Sequence, residues 1–250
     1  MRVLTFICLI LCTGLFAQDA LKIKYGKQTK YDISQKIIET NKDLAEALRK
    51  AMQDITDYEL VVYNNEAQFV FVEKIKNDQT EMSEGSSIIV TFGMPDEKVY
   101  SNYNTGITFR SFTANGKYTL IKSELPTYEW ELTRETKEIL GIKVRKAIIK
   151  SENKEETAWY APQITYKAGP EDVWGLPGLI LEYQVDRKTS KGIRTTHIFA
   201  QEIEQLDANL VNIEKPDESK AISPEQYKEE TEAYMKKLKE MYSQGVDTSD

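Results

Sequence analysis

Histidine and cysteine, the side chains most used for nucleophilic catalysis and transition-metal binding, are few in this chain. It holds one histidine, His197, and two cysteines, Cys8 and Cys12, both within the first twelve residues. A transition-metal site would have to join His197 to carboxylates, a poor donor set for zinc or copper. No metal and no cofactor is therefore expected. A Ser-His-Asp triad would also have to use His197. That residue lies in the alternating stretch Ile193-Arg194-Thr195-Thr196-His197-Ile198-Phe199, which reads as a strand. A half-buried strand histidine with an ordinary hydrogen-bond partner is the simpler account. There is no Gly-x-Ser-x-Gly elbow, phosphate loop, dinucleotide fingerprint or His-Glu-x-x-His motif. The 40 acidic residues leave a carboxylate pair open in principle, but spacing along the chain does not pair them. No catalytic residue is assigned.

The residues that could bind are aromatic and apolar. Trp130, Trp159 and Trp174 fall in one region with Tyr128, Tyr160 and Tyr166. At strand spacing such side chains pack a core or a cross-strand pair, and a binding wall would use the same types. The run Gly175-Leu176-Pro177-Gly178-Leu179-Ile180 joins both backbone punctuators to core-forming leucines. Pro177 fixes one backbone angle, Gly175 and Gly178 reach angles closed to other residues, and Leu176 and Leu179 can plug a core from either side. It reads as a structural corner, or as the lip of a pocket or a partner-docking loop, because Trp174 adjoins it. Trp174, Leu176, Pro177, Trp159 and Tyr160 are thus the candidate ligand- or partner-binding residues. Glu182, alternating away from Leu181 and Tyr183, reads as a solvated or paired strand carboxylate.

The elements that must position these residues follow from periodicity. A basic start at Arg2 and an apolar run from Val3 to Phe16 read as a Sec-type signal peptide, residues 1–17, cleaved after Ala17. The run is short of the roughly 20 residues that span a bilayer. A lipoprotein signal at Cys12 is disfavoured by its early position and the bulky Leu11. Removing residues 1–17 leaves 32 basic against 40 acidic residues, a net charge of −8, and no cysteine. That balance argues against nucleic acid as a partner and gives no attraction to anionic surfaces. No second apolar stretch approaches spanning length, so the chain is not expected to cross a membrane.

Leu21 to Tyr31 begins with strand alternation, and about Gln35 to Ile55 carries apolar residues at helical spacing. Strand pairs follow at Tyr58–Tyr63 with Gln68–Lys74, Ser87–Phe92 with Lys98–Tyr103, and Thr108–Phe112 with Lys117–Lys122 about an Asn115-Gly116 turn. Tyr128–Leu132 reads as a short strand and Glu135 to Gly141 as a connection. Ile142–Lys150 pairs with Thr157–Ala161, and Gly178–Asp186 with Lys191–Glu204. Ser223-Pro224-Glu225-Gln226 is a capping box with Pro at the first helical position, opening a helix that runs to about Gln244. The expected organisation is a β-rich domain over 18–215 and a helical extension over 216–250. The expected class is α+β: one strongly curved antiparallel sheet, half-barrel-like, with an N-terminal helix packed on it and a C-terminal amphipathic helix.

One resemblance is specific. Glu129-Trp130-Glu131-Leu132, Glu135-Thr136-Lys137-Glu138-Ile139-Leu140-Gly141, Lys146-Ala147, Ala158-Trp159-Tyr160-Ala161-Pro162-Gln163-Ile164, Gly169-Pro170 and Gly175-Leu176-Pro177-Gly178-Leu179-Ile180-Leu181-Glu182 occur in order. This series closely resembles the GLPGLI family, exported proteins of Bacteroidota. The resemblance implies a β-rich envelope protein and no known activity. Where that family usually has cysteine, this chain has Val144, so a thiol or disulfide role there is absent. The strand series is more weakly similar to periplasmic lipoprotein-carrier-like half-barrels, which would imply an apolar or lipid-like ligand in a concave face. The expected function is an exported, periplasmic or extracellular, non-enzymatic binding module for an apolar or amphipathic ligand, with association to the outer membrane left open. The alternative is an interaction protein of an envelope assembly of the TonB-dependent transporter type, and a carboxylate-based hydrolase stands third.

Overall fold

The computed structural model describes residues 20–73, 96–114, 116–189 and 192–244. The expected signal peptide and the expected strand Ser87–Phe92 lie outside the described residues. Eleven strands follow one another: β1 Ala20–Tyr31, β2 Thr56–Tyr63, β3 Glu66–Val72, β4 Lys98–Asn102, β5 Ile107–Ala114, β6 Lys117–Glu124, β7 Glu131–Ile139, β8 Ile142–Lys150, β9 Lys154–Ala161, β10 Leu179–Thr189 and β11 Gly192–Leu206. They form one antiparallel sheet in the order β6-β5-β4-β3-β2-β1-β11-β10-β9-β8-β7. β1 is the centre, paired to β2 on one side and to β11 on the other. Two meanders therefore meet on the first strand, and β6 and β7 are the edge strands of the sheet.

This overturns the α+β reading and its half-barrel with a helix packed on the face. The protein is predominantly β. The expected N-terminal helix is two short ones, α1 Gln35–Thr40 and α2 Lys42–Gln53, because Asn41 turns its side chain to accept the Leu44 N–H at 3.0 Å. An Asn that caps the next turn interrupts the helix before it. α2 buries Ala45, Leu48 and Ala51, but it meets the sheet at the end of β1, where Gln28 donates to the Gln53 carbonyl. What lies on the apolar face is a coil, residues 162–178.

A second correction concerns β7. The expected short strand at Tyr128–Leu132 and the connection after it are a strand from Glu131 and a turn at Leu140-Gly141, both with positive φ. β7 is exposed at most positions, so its side chains carry little apolar alternation to read.

The C-terminal helix α3, Pro224–Gln244, starts as expected: Gln226 N donates to Ser223 Oγ at 3.2 Å and Ser223 N to Gln226 Oε1 at 2.8 Å. The chain just before it bonds the edge strand β6, with Ile222 N on the Leu120 carbonyl and Lys122 N on the Ile222 carbonyl. Covering an edge in this way removes a template for pairing with other chains.

The core sits on one face, along the rows Ile23, Tyr25, Leu60, Tyr58, Phe69, Val99, Ile198, Tyr183 and Ala158. Val144 is fully buried, so an apolar residue at that position is a packing residue.

Candidate functional site

The site is built on the segment that crosses the apolar face between β9 and β10. Its backbone bonds to itself and to its flanks: Ile180 N to the Ala168 carbonyl at 2.9 Å, Leu179 N to the Ile164 carbonyl at 3.1 Å, and Gly178 N to the Leu176 carbonyl at 2.8 Å. Gly178 has φ +152°, and a Cβ there would stand 2.2 Å from the Ala161 carbonyl oxygen. Only glycine lets the corner approach the end of β9 so closely. Leu176, Val173, Ala168 and Leu179 are buried, while Pro177 and Gly175 face solvent. Tyr25 donates its hydroxyl to the Ile180 carbonyl at 2.5 Å, which ties the corner to the central strand. Burial of a leucine of this kind contributes about 1.5–3 kcal/mol. Ala168, Val173, Leu176 and Leu179 join the main apolar cluster of the sheet.

At the lip stands a row of four half-buried aromatic rings. Trp174 stacks on Tyr103, centroids 5.6 Å apart at 27°, and donates its indole N–H to the Pro126 carbonyl at 2.8 Å. Trp130 donates to the Trp174 carbonyl at 3.0 Å and stacks on Tyr128 at 5.3 Å and 18°. Both indoles are thus fixed by their polar end, leaving ring area toward solvent.

Beside the row is a cluster of charges. Lys27 Nζ is 2.6 Å from Glu171 Oε1. Arg110 pairs closely with Glu97, and its other nitrogen is 3.8 Å from both Glu171 and Asp172. Tyr58 donates to Glu97 at 3.2 Å. Burial alone would raise Glu171, but Lys27 and Arg110 outweigh it and hold the carboxyl below its ordinary range. Asp172 moves the other way: burial raises it, Glu171 adds to that, and Arg110 only partly opposes. Three carboxylates face two cations, so one of them is pushed toward its neutral form. Burial also raises the Tyr58 and Tyr103 phenols. The Tyr103 hydroxyl is buried without a hydrogen-bond partner.

Glu171 itself has φ +57°. Lys27 and Arg110 stand on strands four ladder steps apart, about 19 Å on a flat sheet. One carboxylate reaches toward both cations from the segment that crosses the sheet.

The expected residues divide. Trp174 is on the lip, Leu176 is under it, and Pro177 is exposed beside it. Tyr160 is buried in the core. Trp159 does not join them: Trp159, Glu182, Phe199 and Gly26 form one cross-strand row, opposite in parity to the row that ends in Lys27. On that other face Lys137 Nζ lies 4.4 Å above the Trp159 ring and 2.6 Å from Glu182, whose second oxygen is 3.2 Å from His197 Nε2. Burial would raise Glu182, yet His197 and Lys137 lower it. The carboxylate is paired, as expected for this strand position. Sequence reasoning missed Arg110, Glu97, Lys27 and the Glu171-Asp172 pair. Only the last carried a signal, two adjacent acids inside an otherwise apolar motif run. Among the described residues no group of three or more His, Cys, Asp or Glu side chains could hold a metal ion.

Comparison with known proteins adds a partial family match. A family described as "Protein of unknown function (Porph_ging)" matches residues 149–182, from the end of β8 to Glu182. No curated protein matches the chain. Two solved structures of PNGF-II are similar in fold. One shares 17% identity over 84% of this chain and 32% of that one, with a TM-score of 0.50. The other, in a second crystal form, shares 18% identity over 80% of this chain and 31% of that one, with a TM-score of 0.47. This chain spans about a third of the length of those chains. At this identity the likeness concerns the fold alone. Among the described residues no helix is long and apolar enough to cross a membrane.

Proposed function

We propose that this chain is an exported, GLPGLI-type cell-envelope protein that acts without catalysis, as an interaction module for a protein of an envelope assembly. The observation that carries this reading is the aromatic row Tyr103, Trp174, Trp130 and Tyr128 beside Arg110. Trp, Tyr and Arg are the residue types that dominate binding energy at protein interfaces, and here they are held rigid before any partner arrives. The occupied apolar face favours this over a carrier of acyl chains, because Leu176 and Val173 take the volume such a chain would need. The TonB-dependent transporter class supplies partners of this kind.

A photoreactive residue at the exposed Glu129, between Tyr128 and Trp130, tests it in intact cells. A discrete cross-linked envelope protein is expected, with none from the same probe at Leu210. A fatty-acid or lipid species in organic extracts of the native protein, with no cross-link at Glu129, would sink the reading in favour of a ligand carrier.

A further inference from the structure

The β7–β8 hairpin carries a second feature, unrelated to the aromatic row. An open depression of about 330 Å³ is lined by Arg134, Thr136, Lys143, Arg145, Pro162 and Gln163. The geometry points to an anion-binding site there, taking a doubly charged oxyanion of the phosphate-monoester or diphosphate type.

The contrast with the rest of the hairpin is the first argument. Lys137, Lys146 and Lys150 pair with Glu182, Glu135 and Glu155. Arg134, Lys143 and Arg145 form no ion pair among the described residues. Glu138 stands opposite Lys143 in the ladder, yet the two side chains do not pair. Like charges gathered on neighbouring strands repel, so a protein of net charge −7 that leaves three of them together loses stability by it. A bound anion would remove that repulsion.

The second argument is how Arg134 is placed. The ladder slips between Leu132 and Thr136, which face Ala147 and Arg145, so β7 spends two extra residues there. This bulge is fastened from inside. Thr133 donates its hydroxyl to the Lys146 carbonyl at 3.2 Å, and Glu135 N donates to the same hydroxyl oxygen at 3.2 Å. Glu135 is drawn away to Lys146, 3.0 Å off, so the nearest acid is spent on the other face. Bulges of this kind re-aim a side chain, and here Arg134 lines the depression beside Thr136 and Arg145.

The third is chemical fit. Two guanidinium groups offer planar forks to paired oxygens, a third cation balances a second charge, and Thr136 and Gln163 supply neutral donors. A single carboxylate would engage one fork and leave two cations unmatched.

Titration calorimetry of the signal-free chain with inorganic pyrophosphate at low salt tests the site. A second arm uses sedimentation with phosphatidylcholine vesicles, with and without phosphatidic acid. We expect saturable binding that weakens as salt rises and falls at least tenfold in R134Q/R145Q, with a thermal midpoint in the absence of anion equal to or above that of the parent, because the repulsion is relieved. K188Q, an exposed cation elsewhere, should bind as the parent does. Pyrophosphate binding identifies a soluble phosphate compound as the ligand source; binding only to phosphatidic-acid vesicles identifies a lipid headgroup. No saturable binding in either arm, or an equal loss in K188Q, overturns the proposal.

Discussion

Lys27 Nζ lies 2.6 Å from Glu171 Oε1, and through this contact the central strand holds the segment that covers it. The two residues are 144 positions apart. Both are about four-fifths shielded, so removing one partner leaves a charge with little water to replace it. Glu171→Gln and Lys27→Met should each destabilise the fold by about 1–3 kcal/mol, less than a fully buried pair because solvent still reaches both. The double variant should cost clearly less than the sum. Urea denaturation of the four proteins measures this, and strict additivity would show that the pair is not coupled.

The same cluster, together with Glu182 on the opposite face, sets the response to acid. Glu171 and Glu182 have folded pKa values below their ordinary 4.5, so their contribution is complete above that value and is lost as pH falls through the folded ones. Asp172 is raised above 3.8, so its contribution is present below that value and is lost as pH rises through the folded one. Asp172→Asn should therefore raise stability at pH 7 and steepen the decline on the acid side. Urea midpoints between pH 3 and 7 decide it; lower stability at pH 7 with an unchanged slope would count against the assignment.

Two glycines of one corner should differ sharply. Gly175 has φ +93° and open space where a Cβ would go, whereas at Gly178 the Cβ would meet backbone of Ala161 and Pro162. Gly175→Ala should cost about 1–2 kcal/mol of backbone strain. Gly178→Ala must move β9 or the corner and should lower stability by about 3 kcal/mol or more, or abolish folding. Thermal midpoints, with soluble yield for Gly178→Ala, give the comparison, and equal effects would refute the close approach.

The aromatic row is fastened by two indole N–H groups. Trp130→Phe keeps the ring stack with Tyr128 but leaves the Trp174 carbonyl without its donor. A loss of about 0.5–1.5 kcal/mol is expected. Near-ultraviolet circular dichroism should change more than removal of one indole explains, because Trp174 loses the bond to its carbonyl and keeps only its own N–H bond to Pro126. If Trp174 fluorescence is unaltered in this variant, the two rings are not coupled.

Local pattern was enough for much of this protein. The pairing of β5 with β6, the hairpin from Ile142 to Ala161, the last strand pair and the capping box at Ser223 all follow from residues near one another in sequence, because turn and cap preferences are local. Gly175–Ile180 was likewise legible as a corner. The place of β1 between β2 and β11 was not, since any strand with a half-apolar face satisfies the same alternation and only long-range pairing selects its neighbours. For the same reason β7, mostly solvent-exposed, had no apolar period to betray it. Composition alone excluded cysteine chemistry after the first seventeen residues and left a poor donor set for zinc or copper. Only the folded chain decided that Trp174 belongs with Tyr103 and Trp130, that Trp159 lies on the other face with Glu182 and His197, and that Leu176 is buried in the main apolar cluster. Those are contacts between residues tens to more than a hundred positions apart. The energies that choose them depend on burial and on which charges meet, and neither is a property of any one stretch of sequence.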